Sequence, residues 1–215
     1  MNELLVIVPS RGRPESVGLL ASEFFHHSTG HADLLFATDD DQPEYPDYPG
    51  VQFRRGPRLR MNGTLNAAAV EYADQYRYIG FMGDDHRPRT FGWDERIVEE
   101  LNYSHVVYGN DLLQGESLPT AVFMRSEIVQ KLGYMAPPEL IHLYLDNFWL
   151  ELGRATSMRY LGDVTIEHLH PYAGKAEWDA SYLEVNDQAL YEHDRLAFEN
   201  YMATRFQEDL EKLNG

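Results

Sequence analysis

Apolar positions recur along this chain in two rhythms, and the switching between them predicts its architecture. Leu4-Leu-Val-Ile-Val8 is a continuous apolar, β-branched run, the pattern of a strand covered on both faces as in a parallel sheet. Pro9-Ser10-Arg11-Gly12-Arg13-Pro14 follows as a turn. From Glu15 to His26 the residues Val17, Leu19, Leu20, Phe24 and Phe25 recur at helical spacing. Ala32 to Thr38 is a second apolar run and ends in Asp39-Asp40-Asp41. Gln42 to Gly50, rich in Pro and Tyr, reads as an ordered loop, and Val51 to Arg54 as a short third strand. The alanine-bearing stretch Leu65 to Gln75 predicts a helix. Tyr78 to Met82 is a strand that stops at Gly83 and two adjacent carboxylates, Asp84 and Asp85, followed by His86.

Further along, Trp93 to Leu101 reads as a helix, and Val106 to Tyr108 and Thr120 to Met124 as strands. Ser126 has the chemistry of an N-cap for a short helix to Leu132. The Met135-Ala-Pro-Pro stretch is a break, and Leu143 to Leu152 is apolar at helical spacing. Met158 to Leu161 and Val164 to Leu169 predict a hairpin turning at Gly162-Asp163. Tyr172 to Asn186 is irregular, and Gln188 to Leu213 predicts one long amphipathic helix, packed on the domain or on a partner.

Strand-helix-strand alternation is the signature of a doubly wound α/β fold with a mostly parallel central sheet flanked by helices. We divide the chain into an α/β domain over residues 1–185 and a C-terminal helical extension over 186–215. At 215 residues one domain with an extension is the expected size. No apolar run is long enough to span a membrane, and the N-terminus enters a strand without the basic segment of a signal peptide. Cysteine is absent, which excludes disulfides and zinc-thiolate sites and fits a cytoplasmic setting. The formal net charge of -17 repels nucleic-acid phosphates and argues against a large nucleic-acid footprint.

Two predicted strands end in aspartates, and in a parallel sheet those ends share one edge, where ligands bind. Adjacent carboxylates repel each other unless a positive group holds them, and a divalent cation is a common solution. A solvated turn in an acidic protein is the plainer reading of the same pair. His168 and His170 fall on one face of a strand by two-residue alternation, either as metal ligands or as ordinary polar positions on an edge strand. Asp146, alone among large apolar residues, suits a general base with a raised pKa, or a helix N-terminal acid favoured by the helix dipole. Arg11, Arg13, Arg58 and Arg60 are scarce cations near strand ends, available to phosphate or to neighbouring aspartates. Gly-rich dinucleotide and Walker loops, a nucleophile elbow and a His-Glu-x-x-His motif are all missing from the sequence.

These motifs occur in a telling order: Val-Pro-Ser-Arg-Gly-Arg-Pro, then Thr38-Asp39-Asp40-Asp41, then Leu65-Asn66-Ala-Ala-Ala, then Phe81-Met-Gly-Asp84-Asp85-His86. Over roughly residues 3 to 170 the chain resembles nucleotide-sugar-dependent glycosyltransferases of the type A fold, especially the family 2-like group. The resemblance implies that Pro9, Ser10, Arg11 and Arg13 border the nucleotide. It implies that Asp39 or Asp40 bonds the base, usually uracil, and that Arg60 and Asn66 approach the nucleotide. Asp84 and Asp85 would form the Asp-x-Asp-like motif, with His86 standing where a third acid is found in the common form. Asp85 would then ligate Mn²⁺ or Mg²⁺ and Asp84 would contact the ribose or support the ligand. His168 or His170 would complete the metal site, Asp146 would be the catalytic base, and Lys175 would lie in a lid over the donor. The implied reaction moves a sugar from a UDP-sugar or related donor to an acceptor hydroxyl with inversion. The acceptor could be a glycan, a protein, a lipid-linked intermediate or a modified base, and a homo-oligomer is compatible. A nucleotidyltransferase and a non-catalytic binding protein on a degenerate transferase fold are the competing readings.

Overall fold

The computed structural model describes residues 2–175, 177–178 and 187–215. Eight strands form one curled sheet in the order β3-β2-β1-β4-β7-β6-β8-β5. The strands are β1 (Leu4–Ser10), β2 (Ala32–Asp39), β3 (Val51–Gly56), β4 (Tyr78–Phe81), β5 (His86–Pro88), β6 (Val106–Asn110), β7 (Val122–Arg125) and β8 (Met158–His168). Neighbours β3, β2, β1 and β4 run parallel, as do β6 and β8. Strand β7 runs antiparallel to β4 and β6, and β5 is antiparallel to β8. The helices among the described residues are α1 (Pro14–His27), α2 (Arg60–Tyr72), α3 (Trp93–Leu101), α4 (Ser126–Leu132), α5 (Leu145–Ala155), α6 (Gln188–Thr204) and α7 (Phe206–Asn214).

The unbroken apolar run of β1 is explained by two separate cores. Leu5 and Ile7 point into one with Leu35 and Ala37 of β2, under α2, α4 and α5. Leu4, Val6 and Val8 point into the other with Leu34 and Phe36, under α1 and α3. Successive side chains on a strand face opposite ways, so a strand with a core on each side has no polar position to spare. Phe198 and Met202 of α6 and Phe206 and Leu210 of α7 lie on the first core, so both C-terminal helices pack on the sheet assembly.

Four predicted elements take a different form. The hairpin at Gly162-Asp163 is one strand, β8, that changes partners rather than direction. Its first half pairs with β6, its register slips at Gly109/Asn110, and its last residues pair with β5. The slip brings the Val164 carbonyl so close that a Cβ on Gly109 would sit 2.5 Å from it. The predicted long C-terminal helix is two helices, broken at Arg205, whose backbone leaves helical geometry. Helix α2 begins at Arg60 rather than Leu65. Ser126 is the first residue of α4 rather than its cap, and its buried hydroxyl finds no partner. The boundary drawn at residue 185 and most of the expected lid lie outside the described residues. No helix among the described residues is long and apolar enough to cross a membrane.

Candidate active site

The carboxyl ends of β1, β2 and β4 open into a cavity of about 540 Å³. That volume is in the range of small-molecule sites. Three loops from the second half of the chain complete it: residues 113–120, 141–146 and 168–172. The predicted convergence of strand-end carboxylates occurs here, with Asp39, Asp84 and Asp85 on one wall.

Asp84 and Asp85, adjacent in sequence, have opposite environments. Both Asp84 oxygens are taken, one by the Ser10 hydroxyl at 2.6 Å and one by the Arg13 guanidinium at 3.1 Å. Its carbonyl accepts from the Ser16 hydroxyl at 3.0 Å and from buried Arg87 at 2.8 Å. Burial, then the charge of Asp85, pushes the Asp84 carboxyl up to about 6 against the pull of Arg13 and Ser10. Burial presses Asp85 upward too, but the contact with His168 leads those that outweigh it and hold Asp85 well below the usual range. Asp85 Oδ2 lies 3.2 Å from His168 Nε2. Gly83 is part of this geometry, because a Cβ there would meet Asp85 Oδ1 at 2.5 Å.

His86 is held for a different task. The Gly83 N–H donates to its Nδ1 at 2.9 Å, so the ring proton sits on Nε2, 3.4 Å from the Thr120 hydroxyl. Burial and the nearby His168 lower its pKa and keep it neutral. Its ring stacks on His168 with centroids 4.2 Å apart and fixes that ring against Asp85. Asp85, His86 and His168 offer ligand atoms within 4.8 Å of one another. With His86 Nδ1 committed to Gly83, Asp85 and His168 are the pair that fits a divalent cation. An oxygen and an imidazole nitrogen suit Mn²⁺ or Mg²⁺ with phosphate oxygens and water completing the shell. His170 lies past the end of β8, where strand alternation no longer applies. Its Nδ1 accepts the Tyr172 N–H at 3.2 Å and its ring stacks on Tyr172.

Asp39 is buried at the end of β2 and accepts from Arg11 at 2.6 Å, while Asp40 beside it is exposed and off the cavity wall. Arg11 also forks onto Asp41 at 2.5 and 3.0 Å. Arg58 and Arg60 line the cavity. Asn66 does not: its amide donates to the Ala136 carbonyl at 2.8 Å and accepts the Met135 and Ala136 N–H groups at 2.9 and 3.1 Å. The resemblance implied a nucleotide contact for Asn66, and the structure shows this backbone clamp. Lys175 pairs with Glu167 at 2.9 Å and is likewise off the cavity wall. Of the aromatic residues able to stack on a sugar, Trp93 and Trp149 are buried in the cores, and Trp178 is exposed beside Tyr172. Tyr45 and Tyr48 fasten their loop, meeting Ser10, Arg13 and Pro14.

Asp146 stands in the first turn of α5 and lines the cavity, with its pKa raised by burial. The residues that hold this side of the cavity are not evident in the sequence. Asp111, buried, accepts the N–H groups of Leu113, Gln114 and Gly115 at 3.0, 2.7 and 2.8 Å and the Thr120 hydroxyl at 2.8 Å. The three non-glycine residues with positive φ among those described are Arg60, Leu112 and Tyr144, all in or next to the cavity wall. Strained backbone of this kind concentrates at ligand sites.

A Rossmann-like half sheet, an antiparallel strand inserted beside it and an acidic motif at the end of β4 define the fold of the type A nucleotide-sugar glycosyltransferases. No protein-family model matches the chain, and no curated protein matches it in sequence. Among solved structures it is similar to the mannosyltransferase PcManGT from Pyrobaculum calidifontis in complex with GDP-Man and Mn²⁺, with a TM-score of 0.60 and 10% identity over 98% of this chain and 72% of that one. It is also similar to TarS of S. aureus, with a TM-score of 0.58 and 12% identity over 77% of this chain, and it spans 36% of that chain. A TarS fragment in complex with UDP gives a TM-score of 0.56 at 12% identity, covering 77% of this chain and 59% of the fragment. Drosophila β-1,4-galactosyltransferase 7, in a complex with manganese, UDP-Gal and xylobiose, gives 0.53 at 15% identity, over 87% of this chain and 80% of that one. At these identities the likeness establishes the fold.

Proposed function

We propose that the protein is a metal-dependent glycosyltransferase that moves a sugar from a nucleoside-diphosphate donor, UDP-sugar by preference, to an acceptor hydroxyl with inversion. The observation that carries this reading is the Asp85–His168 pair, in a cavity that also holds Asp39, Arg58 and Arg60 and the raised-pKa Asp146. The structural neighbours that bind UDP, UDP-Gal or GDP-Man support a nucleotide-sugar donor for this chain.

Asp85 and His168 are the residues that would hold Mn²⁺ or Mg²⁺. An ion bound there supplies positive charge against the departing diphosphate. Asp39 accepts an N–H of the base, and Arg58 and Arg60 face donor oxygens. Ser10, Arg13 and Arg87 keep Asp84 from drifting into the ligand position. Asp146 accepts the proton of the acceptor hydroxyl as its oxygen attacks the sugar C1 opposite the leaving group, and attack from that face inverts the centre. A carboxylate whose pKa is raised by burial is a stronger base than a solvated one. A cytoplasmic setting, where free nucleotide sugars are at hand, suits this chemistry.

Melting temperature measured with UDP, GDP, CMP, dTDP and ADP, each with Mn²⁺, Mg²⁺ or EDTA, tests the reading. A ligand that binds only the folded state raises the midpoint with concentration. The expected result is a metal-dependent rise with UDP that disappears in Asp85→Ala. No rise with any nucleotide would overturn the assignment. Release of pyrophosphate from UTP and a sugar phosphate, in place of UDP from a UDP-sugar, would replace it with nucleotidyl transfer.

A further inference from the structure

The base assigned above follows a loop whose backbone is gripped from outside the α/β sheet. Asp194 of α6 is fully buried and accepts three successive backbone N–H groups, those of Ile141, His142 and Leu143, at 2.9, 2.8 and 2.7 Å. Its Oδ1 also meets His193 Nδ1 at 2.9 Å. A buried carboxylate is costly unless charge-assisted bonds of this kind replace its water. From the other side Asn62 of α2, also fully buried, donates to the carbonyls of Pro137 and Leu140 at 2.7 and 2.8 Å. One side chain holds the amides of the loop and the other its carbonyls.

The next residue, Tyr144, has φ +65°, a conformation a tyrosine adopts only when its surroundings impose it. Helix α6 holds its side chain. The Tyr144 ring stacks on Phe198 at 5.4 Å, and its hydroxyl meets the Tyr191 hydroxyl at 3.0 Å. The Tyr144 carbonyl then accepts the first helical bond of α5, from Phe148 N–H at 3.0 Å. Asp146 lies within that turn, so its direction follows from the conformation of Tyr144. Helices α6 and α7 also pack on the first core through Ala197, Met202, Phe206 and Leu210. Their own anchor is a separate buried cluster in which the Tyr134 and Tyr201 hydroxyls both donate to Asp209.

We propose that Asp194 is a positioning residue for catalysis: through the amides of 141–143 and the left-handed Tyr144 it sets the direction of Asp146, making α6 a working part of the acceptor side. This rests on the assignment of Asp146 as the base.

The test uses the full chain as wild type, Asp194→Asn, Tyr191→Phe and Tyr201→Phe. Three quantities are measured: amide hydrogen exchange over 141–146, the UDP/Mn²⁺ melting shift, and steady-state release of UDP from the UDP-hexose that the wild type turns over fastest, with water as acceptor. In Asp194→Asn the 141–143 amides should exchange at least about tenfold faster. Its kcat should fall about ten- to a hundredfold, the scale for a displaced catalytic group. Donor KM and the UDP shift should stay within about twofold of wild type, the mark of an interaction that matters only at the transition state. Tyr191→Phe, at an exposed residue, should lower kcat about threefold by the same criterion and keeps the test open if Asp194→Asn does not fold. Tyr201→Phe should leave kcat unchanged. Unchanged exchange at 141–143, or a kcat per folded molecule equal to wild type, overturns the clamp while the transferase assignment stands. A wild type that neither binds UDP nor releases it overturns that assignment, and the role of Asp194 with it.

Discussion

The two walls of the cavity are built on opposite principles. The wall proposed to face the donor is made of strand ends from the first half of the chain. Its polar groups are neighbours in sequence or sit at matching ends of adjacent parallel strands, as Ser10, Asp39 and Asp84 do. The wall proposed to face the acceptor is made of loops, and its order comes from buried side chains that reach them from far away. Asp194 is 51 to 53 residues from the amides it binds, and Asn62 is 75 and 78 from its carbonyls. A parallel sheet brings its own chemistry to one edge as a by-product of folding, whereas a loop needs a dedicated partner for its backbone.

The sharpest break of this contrast is Asp146→Asn. Transfer should fall by about 10²–10⁴-fold, the usual contribution of a general base, while the UDP/Mn²⁺ melting shift persists. Loss of the shift in that variant would mean that the two walls are not separate functions.

Next in size is Asp94→Ala, which tests whether long-range carboxylate clamps also hold the scaffold. Asp94 is fully buried and accepts from the Ser28 hydroxyl, the Thr29 N–H and hydroxyl, and the His31 N–H. Leaving these donors unpaired should cost about 2–4 kcal/mol in urea unfolding. The pH dependence has a definite sign. Burial pushes Asp94 and Asp111 upward, but their hydrogen bonds outweigh it and hold both below the ordinary carboxylate range. The unfolded chain therefore binds protons first. The stabilisation is fully present above about pH 4, the unfolded value, and is lost as pH falls toward the folded values. Asp94→Ala should flatten that acid limb, and a limb as steep as wild type would assign it to other carboxylates.

Asn66→Ala distinguishes the two kinds of residue at a place where the resemblance implied a nucleotide contact and the structure shows a backbone clamp. It should destabilise by about 1–3 kcal/mol, because buried Met135 and Ala136 amides lose their acceptor, and should leave UDP affinity unchanged. Lys175→Ala is the smallest effect. Its pair with Glu167 is partly exposed, and such a pair contributes at most about 1 kcal/mol. A large loss of donor affinity in Lys175→Ala would put this residue back on the donor wall.

What the sequence reveals follows from this division. The continuous apolar run of β1 announces a strand with a core on each side, and the aspartates after β2 and β4 announce the edge where ligands bind. The hairpin expected at Gly162-Asp163 fails because Gly-Asp is also what a strand uses to slip register between two partners. His86 reads locally as an intruder in an acidic motif, and only the fold shows it stacked behind His168. Asp194, set among Glu192, His193 and Arg195, has the local signature of an ordinary solvated helix face. Nothing within ten residues of it marks its partners, so no local pattern could have selected it.

The partner change within β8 has a consequence for how the fold is timed. Asp85 and His168 are 83 residues apart, and they meet where β8, paired along its first half with β6, crosses to β5. Closures over such distances are entropically late events. A cation held by this pair would therefore recognise the finished topology and no partial one. Its binding energy would be added to the opening of the whole domain rather than to local fraying, so the ion would act as a seal on completed folding as well as a reagent.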